Sequence, residues 1–139
     1  MDIIYTAKAT SVGGRDGRVT SSDNVLNLEV KPPKEMGGPG GNYSNPEQLF
    51  AAGYAACFNS ALGHISRLKK IQTGTTEVTA EVGIGKLTDG GFGLQVQLDV
   101  VVPGVEQLVA EELVAAAHAV CPYSNATRNN VQVTLKVSV

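Results

Sequence analysis

The chain contains few of the residues that mark several specialised protein classes. Its 139 residues include two cysteines, two histidines, no tryptophan, four tyrosines and three phenylalanines. Two cysteines are too few for a disulfide scaffold, and two cysteines with two histidines argue against a structural zinc site. With so few aromatic residues, the core must consist mainly of Val, Leu, Ile and Ala.

An excess of charge and long hydrophobic runs are also missing. Eleven basic residues stand against thirteen acidic ones, a net charge of -2, so the composition predicts neither a nucleic-acid nor a membrane partner. Asp2 stands where a secretory signal would carry Lys or Arg, and no run approaches the roughly 20 apolar residues of a membrane span. We therefore expect a cytoplasmic protein.

The residues that are present predict one α+β domain spanning residues 1–139. Apolar residues make up 42% of the chain and charged residues 17%, which suits a packed core, and the length suits a single one. Alternation of apolar and polar residues predicts strands, and apolar steps of three and four predict helices. The expected order is strands at 3–10, 18–22 and 26–30, a helix starting at 46, strands at 75–87 and 92–102, a helix at 105–120 and a strand at 131–137. Strands at hairpin spacing favour mainly antiparallel sheets.

The first helix has the clearest start signal. Asn45 is suited to the N-cap, Pro46 to the first helical position and Gln48 to a capping box. Residues 50–57 are almost all small or apolar, which predicts a central helix buried on nearly every side, with the sheets wrapped around it. One chain of this length can hardly cover such a helix, so we expect an intertwined homodimer. The preceding loop ends in the glycine-rich segment 37–41, a candidate lid with no predicted regular element.

The local pattern leaves the role of Cys57 open. A cysteine among alanines in a buried helix is usually an inert small hydrophobe. A reactive thiol must ionise, and Cys57 lies about three turns from the helix N-terminus, beyond the reach of its dipole. A cation is then needed, and Arg15, in a glycine-flanked tight turn, is either that cation or an ordinary exposed residue. His64, about 10 Å along the helix, is too far away to act as the base.

Three segments together resemble a known family. NPEQLFAAGYAACF at 45–58 resembles the peroxidatic helix of the organic hydroperoxide resistance proteins, a branch of the Ohr/OsmC family. CPYSNATR at 121–128 resembles that branch's resolving-cysteine motif, and GGRDG at 13–17 resembles the turn that carries its catalytic arginine. The resemblance runs the whole length of the chain. One departure is Asn129, where glycine is expected, but asparagine tolerates a left-handed backbone.

The resemblance implies an OsmC-like fold and a thiol peroxidase that acts in organic peroxide stress defence. Cys57 would be the peroxidatic thiol and Cys121 the resolving thiol, with Arg15 and Glu47 as an activating ion pair. An apolar wall would favour alkyl or fatty acyl hydroperoxides and would include Phe50 and Phe58. The family implies no bound cofactor and no metal, and re-reduction by a dihydrolipoyl group on a lipoylated protein.

Helix geometry adds a constraint on where these residues meet. Glu47 and Cys57 are ten residues apart, about 15 Å along a straight helix. We therefore expect Arg15, Glu47 or both to reach Cys57 from the partner chain of a homodimer. Two alternatives stay open at this point: an OsmC-type peroxidase with another substrate range, and a small-molecule or lipid-binding module with inert cysteines.

Overall fold

The computed structural model of the protein describes all 139 residues. The chain divides into two compact units, Met1–Leu49 and Phe50–Val139. None of its helices has the length and apolarity needed to cross a membrane.

The first unit is built on an antiparallel meander. Its strands, in the order β1-β2-β3, are β1 (Ala9–Val12), β2 (Gly17–Ser21) and β3 (Asn27–Val30). A 3-10 turn follows at Lys34–Met36, and the chain returns to pair Ser44 with Val30 before the helix α1 (Pro46–Lys69) begins. The Gln48 backbone N–H donates to Asn45 Oδ1 at 2.8 Å, which confirms Asn45 as the cap.

The second unit combines most of α1 with a three-stranded sheet. Its further elements are β4 (Glu77–Lys86), β5 (Phe92–Val101), α2 (Gln107–Val120), α3 (Pro122–Thr127) and β6 (Gln132–Ser138). β4 and β5 form an antiparallel hairpin, whereas β6 pairs parallel with β5 after the crossover through α2 and α3. The predicted α+β class with mainly antiparallel sheets is confirmed, and the parallel pair completes it.

The core of the second unit lies between α1, α2 and the inner face of β5. Alternate residues of β5 point inward, as their spacing predicts, and the fully buried positions are Val96, Leu98 and Val100. α1 contributes Tyr54, Phe58 and Leu62, none of which has exposed surface. Another side of α1 is exposed in the single chain, at Ala52, Ala56, Ser60 and His64. One chain thus leaves part of this helix uncovered.

Two local predictions need correction. The first strand runs over Ala9–Val12 rather than residues 3–10, because it pairs with β2, and β2 ends at Ser21, where the chain turns. The loop before α1, predicted to lack regular structure, contains one 3-10 turn, which ends at Gly37 in the left-handed conformation. The first difference arises from strand pairing, and the second from local backbone hydrogen bonds within residues 33–38.

Candidate active site

Arg15 lies in a tight turn whose backbone favours glycine. Gly13 and Gly14 have φ of 79° and 59°, in the left-handed region where a β-carbon clashes with the backbone. The turn closes with a hydrogen bond from the Asp16 N–H to the Gly13 carbonyl at 3.1 Å. This turn joins β1 to β2, so the arginine lies at the tip of that hairpin.

Arg15 forms a two-pronged ion pair with Glu47 in the first turn of α1. Its Nη1 and Nη2 donate to the two carboxylate oxygens at 2.9 and 2.6 Å. The Glu47 side chain is 13% exposed and that of Arg15 37% exposed. The hydrogen bond to Arg15 lowers the pKa of Glu47, and the same bond raises the pKa of Arg15. The two residues therefore pair inside one chain, and this contact requires no partner subunit.

This ion pair predicts an acid dependence of stability. The pKa of Glu47 is lower in the native state than the value of about 4.3 in an unfolded chain, so its stabilising effect is complete above that value. It is lost as the pH falls through the lower native pKa. We expect the wild type to exceed Glu47→Gln in free energy of unfolding at pH 6 to 7, with the difference shrinking below about pH 5.

Denaturant titrations across that pH range measure the difference. Glu35→Gln is the matched control, because Glu35 is an exposed carboxylate that forms no ion pair. A difference between wild type and Glu47→Gln that stays constant from pH 7 to pH 3 would contradict the prediction.

The two cysteines face each other within the second unit. Cys121 Sγ lies 3.8 Å from Cys57 Sγ, although the residues are 64 positions apart in the chain. Both thiols are free; Cys121 is fully buried and Cys57 is half-buried. A disulfide bond is about 2.05 Å long, so the sulfurs can join after a small approach. The pair is accessible from one side only, through Cys57.

The surroundings of Cys57 oppose its ionisation. Burial raises the pKa of the Cys57 thiol, a hydrogen bond from the backbone of Tyr123 lowers it, and the neighbouring Cys121 raises it again. The net shift is upward. A thiolate at this position therefore needs a positive charge from elsewhere, as the sequence predicts.

The two phenylalanines assigned to a substrate wall differ in exposure. Phe50 is half-buried and packs against Tyr54 and Tyr123, with ring centroids 6.1 and 6.0 Å away. Phe58 has no exposed surface and belongs to the hydrophobic core. The core packing covers the Phe58 ring completely, and a contact of either phenylalanine with substrate stays a prediction. Tyr123, which is 38% exposed, is the aromatic neighbour that sequence reasoning missed.

Sequence reasoning also missed a buried polar network beside the cysteines. Tyr54 Oη lies 3.0 Å from Ser124 Oγ and 3.3 Å from Thr127 Oγ1, and Ser124 Oγ lies 2.9 Å from His118 Nδ1. Tyr54 and Ser124 have no exposed surface. The sequence offered one sign of this network, the polar residues His118, Ser124 and Thr127 on either side of Cys121.

Asn129 has the left-handed backbone that its place in the sequence requires. Its φ is 62°, and it follows α3 just before β6. The expectation that asparagine tolerates this conformation is confirmed.

No group of three or more His, Cys, Asp or Glu side chains that could hold a metal ion occurs in the structure.

Comparison with known proteins yields consistent matches. The family model described as "OsmC-like protein" matches residues 38–136. An organic hydroperoxide resistance protein of Xanthomonas axonopodis pv. citri is 49% identical over 137 residues, which cover 98% of this chain and 96% of that protein. OhrA of Bacillus subtilis is 49% identical over 140 residues, covering 97% and 96%.

Solved structures give the same result. The crystal structure of an organic hydroperoxide resistance protein from Elizabethkingia anophelis superimposes with a TM-score of 0.95 at 54% identity, covering 99% of both chains. The structure of OhrB of Bacillus subtilis gives 0.89 at 44% identity, covering 97% of this chain and 99% of that one. The expected OsmC-like fold is confirmed.

Proposed function

Since the chain belongs to the OsmC-like family, in its organic hydroperoxide resistance branch, we propose that it reduces organic hydroperoxides to alcohols through Cys57 and Cys121. The observation that carries this proposal is the 3.8 Å separation of two free thiols, one accessible and one buried. The names of its relatives place those proteins in organic peroxide resistance, and we assign the same defence role to this chain.

In the proposed reaction Cys57 attacks first. Its thiolate bonds to one peroxide oxygen, the O–O bond breaks, and the alkoxide takes a proton to leave as the alcohol. Cys57 is then a sulfenic acid. Cys57 serves better than Cys121 as the attacking thiol, because Cys121 is completely buried and a peroxide cannot reach it.

We assign Arg15 to the stabilisation of the Cys57 thiolate and of the developing alkoxide. The raised pKa of Cys57 makes a cation necessary, and an arginine locked in a tight turn can be aimed with little loss of conformational entropy. Glu47 accepts hydrogen bonds from both Nη atoms of the guanidinium, so it acts as the positioning residue of Arg15.

We further propose that the working form is a homodimer in which Arg15, paired with its own Glu47, approaches the Cys57 of the partner chain. Two observations support this proposal: the 10-residue separation of Glu47 from Cys57 on α1, and the exposed alanine side of that helix. In this arrangement residues 1–139 act as one domain. The oxidised protein is re-reduced by a dihydrolipoyl dithiol on a lipoylated protein, and no bound cofactor takes part. We place this cycle in the cytoplasm, where thiols are kept reduced.

A substrate panel tests the proposal. With dihydrolipoamide as reductant, we expect kcat/KM for cumene hydroperoxide to exceed that for hydrogen peroxide by about 100-fold. The physical reason is that burying three or four carbons of the substrate against Phe50 and Tyr123 contributes about 0.8 kcal/mol per carbon to binding. Phe50→Ala should reduce this preference about tenfold, whereas Phe92→Ala, which truncates an exposed phenylalanine, should not.

Equal kcat/KM for the two peroxides would contradict the proposed substrate class and favour an OsmC-type peroxidase of different range. Consumption of neither peroxide, together with binding of an apolar ligand, would favour the non-catalytic binding module instead.

A further inference from the structure

The position of Cys121 depends on a helix too short to stand alone. Cys121 is the single residue between α2 and α3, with an extended backbone (φ -61°, ψ 125°). α3 has six residues, and an isolated helix of that length is not stable in water. Tertiary contacts must therefore fix the turn that carries this thiol.

The buried polar network supplies those contacts across the turn. His118 and Ser124 lie three residues before and three residues after Cys121, and their side chains meet at 2.9 Å. This hydrogen bond links the end of α2 to α3 across Cys121. Arg128 supports the same turn, since its guanidinium donates to the His118 carbonyl at 2.8 Å.

The network also ties this turn to the helix that carries Cys57. Tyr54 lies three residues before Cys57, one turn away on α1, and its hydroxyl meets Ser124 Oγ at 3.0 Å and Thr127 Oγ1 at 3.3 Å. Thr127 in turn donates to the Tyr123 carbonyl at 2.9 Å. Each cysteine is thus within three residues of a member of one hydrogen-bonded chain.

The donors and acceptors of the chain are mutually consistent. Thr127 donates to the Tyr123 carbonyl, so Tyr54 donates to Thr127 and Ser124 donates to Tyr54. His118 then donates to Ser124 from Nδ1, in the tautomer that carries its proton on this nitrogen. Burial, followed by the charge of Arg128, lowers the pKa of His118, which favours the neutral ring. No buried side-chain nitrogen or oxygen in the structure lacks a partner. Loss of one member therefore leaves the others unsatisfied.

We propose that the chain of hydrogen bonds His118–Ser124–Tyr54–Thr127 positions Cys121 in contact with Cys57, 3.8 Å away, and so sets the rate of disulfide closure. In that step Cys121 sulfur attacks the sulfenic sulfur of Cys57. The S–S bond forms, the S–O bond breaks, and the thiol proton leaves with the hydroxide as water. The sulfenic sulfur is reduced and the Cys121 sulfur is oxidised. This rate role rests on the proposed peroxidase function; the positioning itself does not.

The test separates oxidation of Cys57 from closure of the disulfide. After one equivalent of cumene hydroperoxide, stopped-flow peroxide loss reports oxidation, and quenched samples trapped with dimedone and weighed by mass spectrometry report closure. We expect Ser124→Ala and Tyr54→Phe to oxidise Cys57 at the wild-type rate but to close at least tenfold more slowly, with a longer-lived dimedone adduct.

A pair of histidine variants supplies the matched control. The side-chain NH2 group of Asn can donate in place of His118 Nδ1–H, so His118→Asn should retain closure within about threefold of the wild type, whereas His118→Leu should lose about tenfold. A network that serves only folding would lower both rates together, or neither. Tyr54→Phe keeps the ring and its packing, so the comparison stands even if Ser124→Ala does not fold.

An equilibrium measurement keeps this inference independent of peroxide chemistry. In glutathione redox buffers, the ratio of the Cys57–Cys121 disulfide to the dithiol measures the effective concentration of one thiol at the other, and we expect it to fall at least tenfold in Ser124→Ala and Tyr54→Phe. Unchanged ratios and closure rates would overturn the inference. If the wild type leaves Cys57 unoxidised by peroxide but the ratios fall as expected, the proposed function fails and the positioning holds.

Discussion

Cys57→Ser is expected to consume no organic hydroperoxide above the uncatalysed rate. A serine hydroxyl is not ionised near neutral pH and cannot form a sulfenic acid, so the substitution changes one atom and removes the group that we propose breaks the O–O bond. The measurement is consumption of cumene hydroperoxide with dihydrolipoamide. Because Cys57 is half-buried in the middle of α1, the substitution leaves the helix and its packing intact.

Cys121→Ser is the matched comparison, because it removes the other sulfur of the same pair. This variant should still consume about one equivalent of peroxide per active site and accumulate the Cys57 sulfenic acid, but lose turnover with the dithiol. Full activity in Cys57→Ser would end the thiol-peroxidase proposal. Loss of the first equivalent in Cys121→Ser would show that the roles of the two cysteines are reversed.

Arg15→Ala is expected to lower kcat/KM about 100-fold, the usual cost of removing one preorganised donor from a developing oxyanion. It should also raise the pH at which Cys57 is alkylated by iodoacetamide, because burial alone disfavours the thiolate. Arg15→Lys should fall in between, since lysine keeps the charge but not the two-pronged pair with Glu47. Arg18→Ala, which truncates an exposed arginine three residues further on, should match the wild type.

Mixing inactive variants tests whether Arg15 acts across chains. If each site combines Arg15 of one protomer with Cys57 of the other, a heterodimer of Arg15→Ala and Cys57→Ser contains one intact site. An equal mixture, unfolded and refolded together, should then recover about a quarter of the wild-type activity. No recovery would place Arg15 and Cys57 of each site in the same chain, and an Arg15→Ala variant of full activity would remove this residue from the mechanism.

Features that depend on near neighbours in the chain could be predicted from sequence. The cap at Asn45 uses an N–H only three residues away, and Asn129 needs only its own tolerance of a positive φ. Alternation along β5 predicts its buried face, because successive strand residues point to opposite sides. The α+β class follows from such local periodicities taken in order. The resemblance of three short segments added the roles proposed for the cysteines and the ion pair.

Contacts between distant segments had to come from tertiary structure. The first strand was misplaced because a strand exists only where a partner pairs with it, and β2 accompanies it only from Ala9 to Val12. No periodicity predicts the parallel pairing of β6 with β5, which depends on the course of α2 and α3 between them. The burial of Phe58 depends in the same way on packing from other elements.

The sequence by itself determined which residues could do chemistry: two cysteines, one arginine in a glycine turn and one glutamate in the first turn of a capped helix. Tertiary structure alone decided which of them meet. It brings Cys121 to 3.8 Å from Cys57 across 64 residues, joins Arg15 to Glu47 across 32, and links Ser124 to Tyr54 across 70. The physical reason is that side-chain type and backbone preference are local properties, whereas a distance between remote side chains depends on how every intervening element packs.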